Sequence, residues 1–231
     1  MKNREFGRVV VLSGAGLSAE AGLGTFRDVG GLWSQYDLSE VATPEGFARN
    51  PDLVHDFYNA RRANMLEAHP TAAHDALAQL SQRLGVTLVT QNVDNLLERA
   101  GARDVIHMHG ELARALCGAC GHRWDAPRQM SAPGACPACG MAATRPDVVW
   151  FGEIPYHMDR IEAALADATV FVSIGTSGQV YPAAGFVQMA QSVGARTLEL
   201  NLEASGAPFD EVREGPATSL VPAWVAEVLA A

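Results

Sequence analysis

The apolar run Val9-Val10-Val11-Leu12 leads through Ser13 straight into GAGLSAEAGLGTFRD, residues 14–28. A buried strand that ends in a glycine-rich loop and then a helix points to a parallel α/β sheet. In such sheets the first glycine makes the tight turn and the second lets backbone approach a pyrophosphate. A third small residue allows close helix packing. Gly14, Gly16 and Ala19 stand at these places, with Ala15 between the first two. Free amides at the helix start attract anions. The same composition also builds plain turns, so other sites must decide. A dehydrogenase fingerprint would add an acidic residue about 20 positions on, at the end of a second strand. The chain instead reads Thr25-Phe26-Arg27-Asp28 and Gly30-Gly31-Leu32-Trp33. The loop is long, with Arg27 able to reach phosphate and Phe26 and Trp33 able to wall a ring. An ordinary dehydrogenase does not fit.

A chain of 231 residues with 48% hydrophobic content can bury one large core and one small one. Its net charge of -9 argues against nucleic acid as a main partner and accommodates a basic, lysine-bearing substrate. No apolar run approaches the roughly 18 residues of a membrane span. The start, Met1-Lys2-Asn3-Arg4-Glu5, runs at once into the first strand. A soluble cytoplasmic protein is the expectation.

The four cysteines fall as Cys117-Gly-Ala-Cys120-Gly and Cys136-Pro-Ala-Cys139-Gly, with fifteen residues between the pairs. This is zinc ribbon spacing. Gly121 and Gly140 permit the positive φ that turns backbone amides towards thiolate sulfur. Two disulfides are the alternative, which a cytoplasmic chain disfavours. Four thiolates close a tetrahedron and leave no position for water, so one Zn2+ per chain would be structural. His122, next to the first pair, is expected either at the surface or just behind the thiolates.

Short, apolar, largely β-branched runs recur at 9–12, 86–90, 105–107, 170–174 and 197–200. Helical patterns lie between: 72–84, with Thr71 as N-cap and Gly85 at the stop, and 183–193, closed by Gly194. A last one follows Pro222 and carries Trp224, Val225, Val228 and Leu229. The alternation predicts a doubly wound, Rossmann-like α/β sheet. Residues 1–27, 71–111 and 146–231 would form it. Residues 28–70, a helical insertion, and 112–145, the zinc module, would form a small second domain.

Residues 86–90 run into Gln91-Asn92-Val93-Asp94-Asn95, at the strand end where ligands bind in such sheets. A helix cap is the plainer reading of Asn-x-Asp, and one cluster can serve both ends. The next strand ends Ile106-His107-Met108-His109-Gly110-Glu111. Two histidines at alternate positions share a face, and an imidazole there is poised to act as a base.

The phosphate loop, Gln91 to Asp94, His109-Gly110 and the four-cysteine module, in that order, resemble the sirtuin family of NAD-dependent protein lysine deacylases. VVWFGE at 148–153, Gly175-Thr176-Ser177 and Asn201-Leu202-Glu203 match its later motifs, so the resemblance spans nearly the whole chain. It implies that NAD+ is a cosubstrate and that acylated lysines on proteins or peptides are the substrate, with no nucleic acid or membrane partner. By this resemblance His109 is the general base and Asn92 and Asp94 hold the nicotinamide, with Gln91 on the ribose and Val93 in the same segment. Ala15, Gly16 and Arg27 contact phosphate, Thr176, Ser177 and Asn201 hold the adenosine half, and Ala217 lies beside the adenine. Val149 to Glu153, Gly152 among them, would pair as a strand with substrate, leaving the acyl-lysine in a tunnel near Phe151.

The predicted helix Pro51–Glu67 carries Leu53, Val54, Phe57 and Met65 as an apolar stripe, with Arg61 inside it, Tyr58 on its edge and Arg62 turned outward. A buried guanidinium calls for an anion, either an internal carboxylate or a ligand. Tyr58-x-x-Arg61 matches the pair that marks the sirtuin class, typified by bacterial deacetylases and desuccinylases, acting on malonyl-, succinyl- or glutaryl-lysine. Small Ala19 and Ala21 suit a roomy pocket. Dual acetyl and acidic-acyl activity is the expectation. Two rivals remain open: a protein ADP-ribosyltransferase, and a non-catalytic NAD- or zinc-binding module.

Overall fold

The structure, a computed structural model, describes residues 7–24 and 36–230. Its larger sheet has six strands: β1 (Val9–Ser13), β2 (Val86–Thr90), β3 (Ile106–His107), β7 (Val170–Ile174), β8 (Arg196–Asn201) and β9 (Glu211–Glu214). They lie in the order β3-β2-β1-β7-β8-β9, and every pairing is parallel. Chain order therefore reverses beside β1, and a crevice opens at the strand ends there. β1 and β7 are buried along their whole length, which is why both are unbroken apolar runs.

Two apolar cores cover the faces of this sheet. One joins Val9, Val11, Leu88 and Val172 to Leu77 and Leu80 of α5 (Ala72–Arg83) and Trp224 and Val225 of α9 (Ala217–Ala230). The other joins Val10, Leu12 and Phe171 to Ile161 and Leu165 of α7 (Met158–Ala166) and to Phe186 of α8 (Phe186–Ser192). A short 3-10 turn, Ala183–Gly185, leads into α8.

A second sheet of three antiparallel strands, in the order β5-β4-β6, consists of β4 (Gly110–Cys117), β5 (Arg123–Asp125) and β6 (Thr144–Val148). Against it pack α2 (Leu38–Val41), α3 (Pro44–Arg49) and α4 (Pro51–Glu67). Val54, Phe57, Tyr58, Met65, Leu112, Val148 and Trp150 form their common core.

Several expectations change. The last helix begins at Ala217 rather than after Pro222, because a proline near the start of a helix removes only one carbonyl's partner there. β9 was not foreseen: Glu-Val-Arg-Glu is a mostly exposed edge strand and carries no apolar signal. Ala19 ends a helix of one turn, α1 (Ala15–Ala19), and is exposed, so it does not serve as a close-packing third glycine. The main correction concerns α4: Arg62, not Arg61, is the fully buried arginine, 2% exposed. Its Nε donates to the Leu112 carbonyl at 2.7 Å and its Nη1 to Asn59 Oδ1 at 2.9 Å. Neutral oxygens therefore satisfy this buried cation, which the sequence pattern turns outward, and they staple α4 to β4.

Candidate active site

The first loop is knitted to the turn after β7. Gly14 N donates to Ile174 O at 2.9 Å and Gly16 N to Gly175 O at 2.8 Å. A Cβ on Gly16 would lie 2.7 Å from Gly175 Cα, so this glycine is required by protein backbone as well as by any ligand. Beyond the turn, Gln91 Nε2 donates to Thr176 Oγ1 at 2.9 Å, and Asn201 Nδ2 donates to the Thr176 carbonyl at 2.8 Å. The ends of β2, β7 and β8 thus converge.

On the other side of β1, Asn92 Nδ2 donates to the Gly14 carbonyl at 3.0 Å and to Ser18 Oγ at 3.1 Å. Ser18 Oγ in turn donates to Asp94 Oδ2 at 3.0 Å. Asp94 Oδ1 accepts from Leu96 N at 3.1 Å, at the start of α6 (Leu96–Arg99). The cluster therefore caps a helix and faces the crevice at once. Buried His74 lies with Nε2 3.4 Å from Ser18 Oγ, and its Nδ1 accepts from Thr71 N at 3.2 Å.

His109 leaves β3 half-buried, with Nδ1 3.1 Å from the Gln91 carbonyl. A carbonyl can only accept, so Nδ1 carries the proton and Nε2 keeps its lone pair. Burial lowers the histidine's pKa, with the Gln91 hydrogen bond opposing more weakly. The neutral form, the one that can take a proton, prevails at neutral pH. Gly110 follows with φ +78°, and its missing Cβ gives room to the Asp147 carbonyl.

Tyr58 is 3% exposed and its hydroxyl accepts from Trp150 Nε1 at 3.0 Å. Burial raises its pKa, so the phenol keeps its proton. The Arg61 guanidinium lies over the rings of Tyr58 and Phe57, 5.5 and 5.7 Å from their centroids. Burial lowers its pKa while Tyr58 and Asp94 oppose the shift, placing this cation within electrostatic reach of the Asn92 to Asp94 cluster. The regular strand β6 stops at Val148. Val149 N donates to the His109 carbonyl, and Glu153 N closes a turn onto the Trp150 carbonyl. Phe151 is 51% exposed on that turn and Gly152 takes φ +91°. Arg145 clamps it, pairing with Glu153 at 2.7 Å and lying over the Trp150 ring at 3.5 Å.

The four cysteine sulfurs lie within 4.8 Å of one another, with 3.7 Å between Cys117 and Cys139 and 3.8 Å between Cys120 and Cys136. Sulfurs about 2.3 Å from a tetrahedral zinc are about 3.8 Å apart, whereas a disulfide needs about 2.05 Å. The donor set fits structural zinc and not a pair of disulfides. His122 is exposed and stacks on Trp124.

Sequence reasoning missed Ser18, His74, Glu98 and Glu199. Buried polar partners such as Glu199, which is 1% exposed and accepts from Asn201 Nδ2 and Ser205 N, have no sequence signature apart from sitting in an apolar strand. Thr25, Phe26, Arg27 and Trp33 lie outside the described residues. Leu202 and Glu203 are exposed beyond Asn201, and Ala217 opens α9 half-buried.

A Rossmann-ordered sheet with a histidine, amides and a carboxylate at its switch point, beside a four-thiolate lobe, defines a dinucleotide-dependent protein with a structural metal. The chain belongs to the Sir2 family, whose model matches residues 14–182. A protein of Caulobacter vibrioides named NAD-dependent protein deacylase is 59% identical over 231 residues, covering 96% of this chain and 97% of that one. One of the same name from Pasteurella multocida is 52% identical, covering 96% and 98%. Among solved structures, a Sir2 homologue–NAD complex aligns with TM-score 0.89 at 38% identity, covering 98% of this chain and 91% of that chain. A Sir2 homologue mutant–ADP ribose complex aligns at 0.90 and 36%, covering 98% and 93%. Among the described residues no helix is long and apolar enough to cross a membrane.

Proposed function

We propose that the protein removes acyl groups from lysine side chains of proteins, consuming NAD+ and releasing nicotinamide and O-acyl-ADP-ribose. The observation that carries this reading is His109: a neutral imidazole, fixed as the Nδ1–H tautomer by Gln91, at a strand end beside Asn92 and Asp94. The family and the names of its close relatives support it. On this reading the segments 1–27, 71–111 and 146–231 bind NAD+, and 28–70 and 112–145 form the small lobe.

The acyl-lysine amide oxygen is a weak nucleophile, so it would bond to the ribose carbon of NAD+ only as the glycosidic bond to nicotinamide breaks and nicotinamide leaves. Asn92 and Asp94 hold the nicotinamide end and favour the charge that develops there. Gln91 orients the ribose, and His109 Nε2 takes a ribose hydroxyl proton so that this oxygen bonds to the acyl carbon; the bond from that carbon to the lysine nitrogen then breaks and water adds in its place, leaving the acyl group on ADP-ribose and the lysine amine free. Ala15, Gly16 and Arg27 hold the phosphates. Thr176, Ser177 and Asn201, with Leu202, Glu203 and Ala217 near them, hold the adenosine. Val149 to Glu153 receive the peptide backbone, and Phe151 covers the lysine stem. Measuring NAD+-dependent nicotinamide release with acetyl, malonyl and succinyl peptides tests the reading; deacylation that persists without NAD+ defeats it.

Only neutral His109 can accept the proton, and its pKa is lowered in the fold. The value of kcat/KM should therefore hold down to below the ordinary histidine value of about 6.5 and fall as acid protonates the ring. A pH–rate profile whose acid limb is centred above that value would contradict the assignment.

The acyl pocket accepts acidic as well as acetyl groups on this reading. Tyr58 already accepts from Trp150, so its own O–H remains to donate, and Arg61 beside it offers a cation for a distal carboxylate. Arg61→Met should reduce desuccinylation by about 10- to 100-fold, the cost of a charged hydrogen bond, and spare deacetylation by comparison. Kinetics on paired succinyl and acetyl peptides decide it, and equal losses on both refute carboxylate recognition.

A further inference from the structure

One stretch of chain holds three successive carbonyls of the segment after β2. His109 Nδ1 donates to Gln91 O at 3.1 Å, His107 Nδ1 faces Asn92 O at 3.2 Å, and Leu112 N donates to Val93 O at 2.8 Å. The middle bond differs in chemistry. His107 is 7% exposed, and its other ring nitrogen, Nε2, lies 2.7 Å from Glu98 Oε1 on α6. Carbonyl and carboxylate oxygens both accept, whereas a neutral imidazole has a single N–H to give. Either neutral tautomer would aim a lone pair at an oxygen, and only the imidazolium satisfies both contacts. Burial opposes the cation, but the Glu98 hydrogen bond and charge, aided by Glu111 and the Asn92 carbonyl, outweigh it and raise the pKa.

We propose that His107, held as an imidazolium between the Asn92 carbonyl and the Glu98 carboxylate, is a positioning residue for the nicotinamide end of the cofactor site. The proposal rests on the roles given above to Asn92 and Asp94. His107 acts through the Asn92 peptide, whose side chain reaches Gly14 and Ser18 and so sets the cluster that includes Asp94. A charge-assisted bond at each ring nitrogen fixes this peptide more stiffly than neutral bonds would. Small displacements of positioning groups cost rate steeply.

Two measurements on the zinc-loaded protein test it. Ring nitrogen NMR at about neutral pH should find both nitrogens of His107 protonated, and Glu98→Gln, a neutral isostere, should leave only one proton on the ring. In kinetics, Glu98→Gln and His107→Gln should each raise the KM for NAD+ about tenfold while the KM for an acetylated peptide stays within about twofold. A singly protonated His107 in the native protein overturns the proposal. So does an unchanged KM for NAD+ in both variants, or proportional losses for NAD+ and peptide together with a fallen melting temperature, the mark of a purely structural pair. A native protein that released no nicotinamide would defeat the deacylase reading instead. Calorimetric NAD+ affinity of the same variants would then decide the positioning role.

Discussion

Replacing His109 with Tyr should lower kcat by about 10²- to 10⁴-fold, the usual contribution of a positioned general base, and leave the fold and zinc content intact. The side chain is half-buried and, among the described residues, makes one hydrogen bond, to the Gln91 carbonyl. Its neighbour His107 and the Leu112 amide hold the same segment independently. Losing one bond of three there costs about 1 kcal/mol, small against a domain stability of about 5–15 kcal/mol. Activity and stability therefore separate. Steady-state turnover, metal content and thermal melting measured on one preparation check the claim. An active His109→Tyr protein, or an inactive one that has also lost its zinc, would remove His109 from the chemistry.

Removing the metal should have the next largest effect. Structural zinc sites are worth about 10–16 kcal/mol in isolated modules, as much as or more than a whole small domain's stability. The lobe around Cys117, Cys120, Cys136 and Cys139 has little apolar core at the knuckles, where Cys120 and Cys139 are exposed. Chelation, or Cys136→Ser, should therefore unfold β5 and the distal part of β4 while the six-stranded sheet, with cores of its own, stays folded. Activity should fall with it. β4 begins one residue after His109 and ends at Cys117, so fraying from the metal end reaches Leu112, whose amide holds Val93. Hydrogen exchange followed by mass spectrometry, read against bound zinc per chain, gives the answer. Retained protection across β5 and the distal part of β4 in metal-free protein would show that zinc is dispensable to the lobe.

The central strands were legible because both faces of a parallel sheet are buried. Residues 86–90 and 170–174 are apolar runs of strand length, and the structure gives them these bounds. The cysteine pairs were legible because metal geometry restricts spacing within each knuckle, and the sulfurs meet as expected. The histidine strand end was legible only in part. Sequence put His107 and His109 on one face and gave no means of dividing their labour, which depends on Glu98 arriving from α6. Helix α4 shows the same limit. Arg61 and Arg62 differ by one step of 100°, and periodicity turned outward a residue, Arg62, that the fold buries. What separated them was a carbonyl acceptor on β4, fifty residues away in the chain.

Local physics therefore determined the elements of this protein: where strands run, where glycine must stand, and which thiols can share a metal. Sequence periodicity carries that information because burial on a face repeats every two or 3.6 residues. Only the tertiary structure decided which polar groups meet: Ser18 with Asp94, Trp150 with Tyr58, and His107 with both Asn92 and Glu98. A hydrogen bond depends on distance and angle to within a few tenths of an ångström, and such closeness between remote residues leaves no periodic trace in the chain.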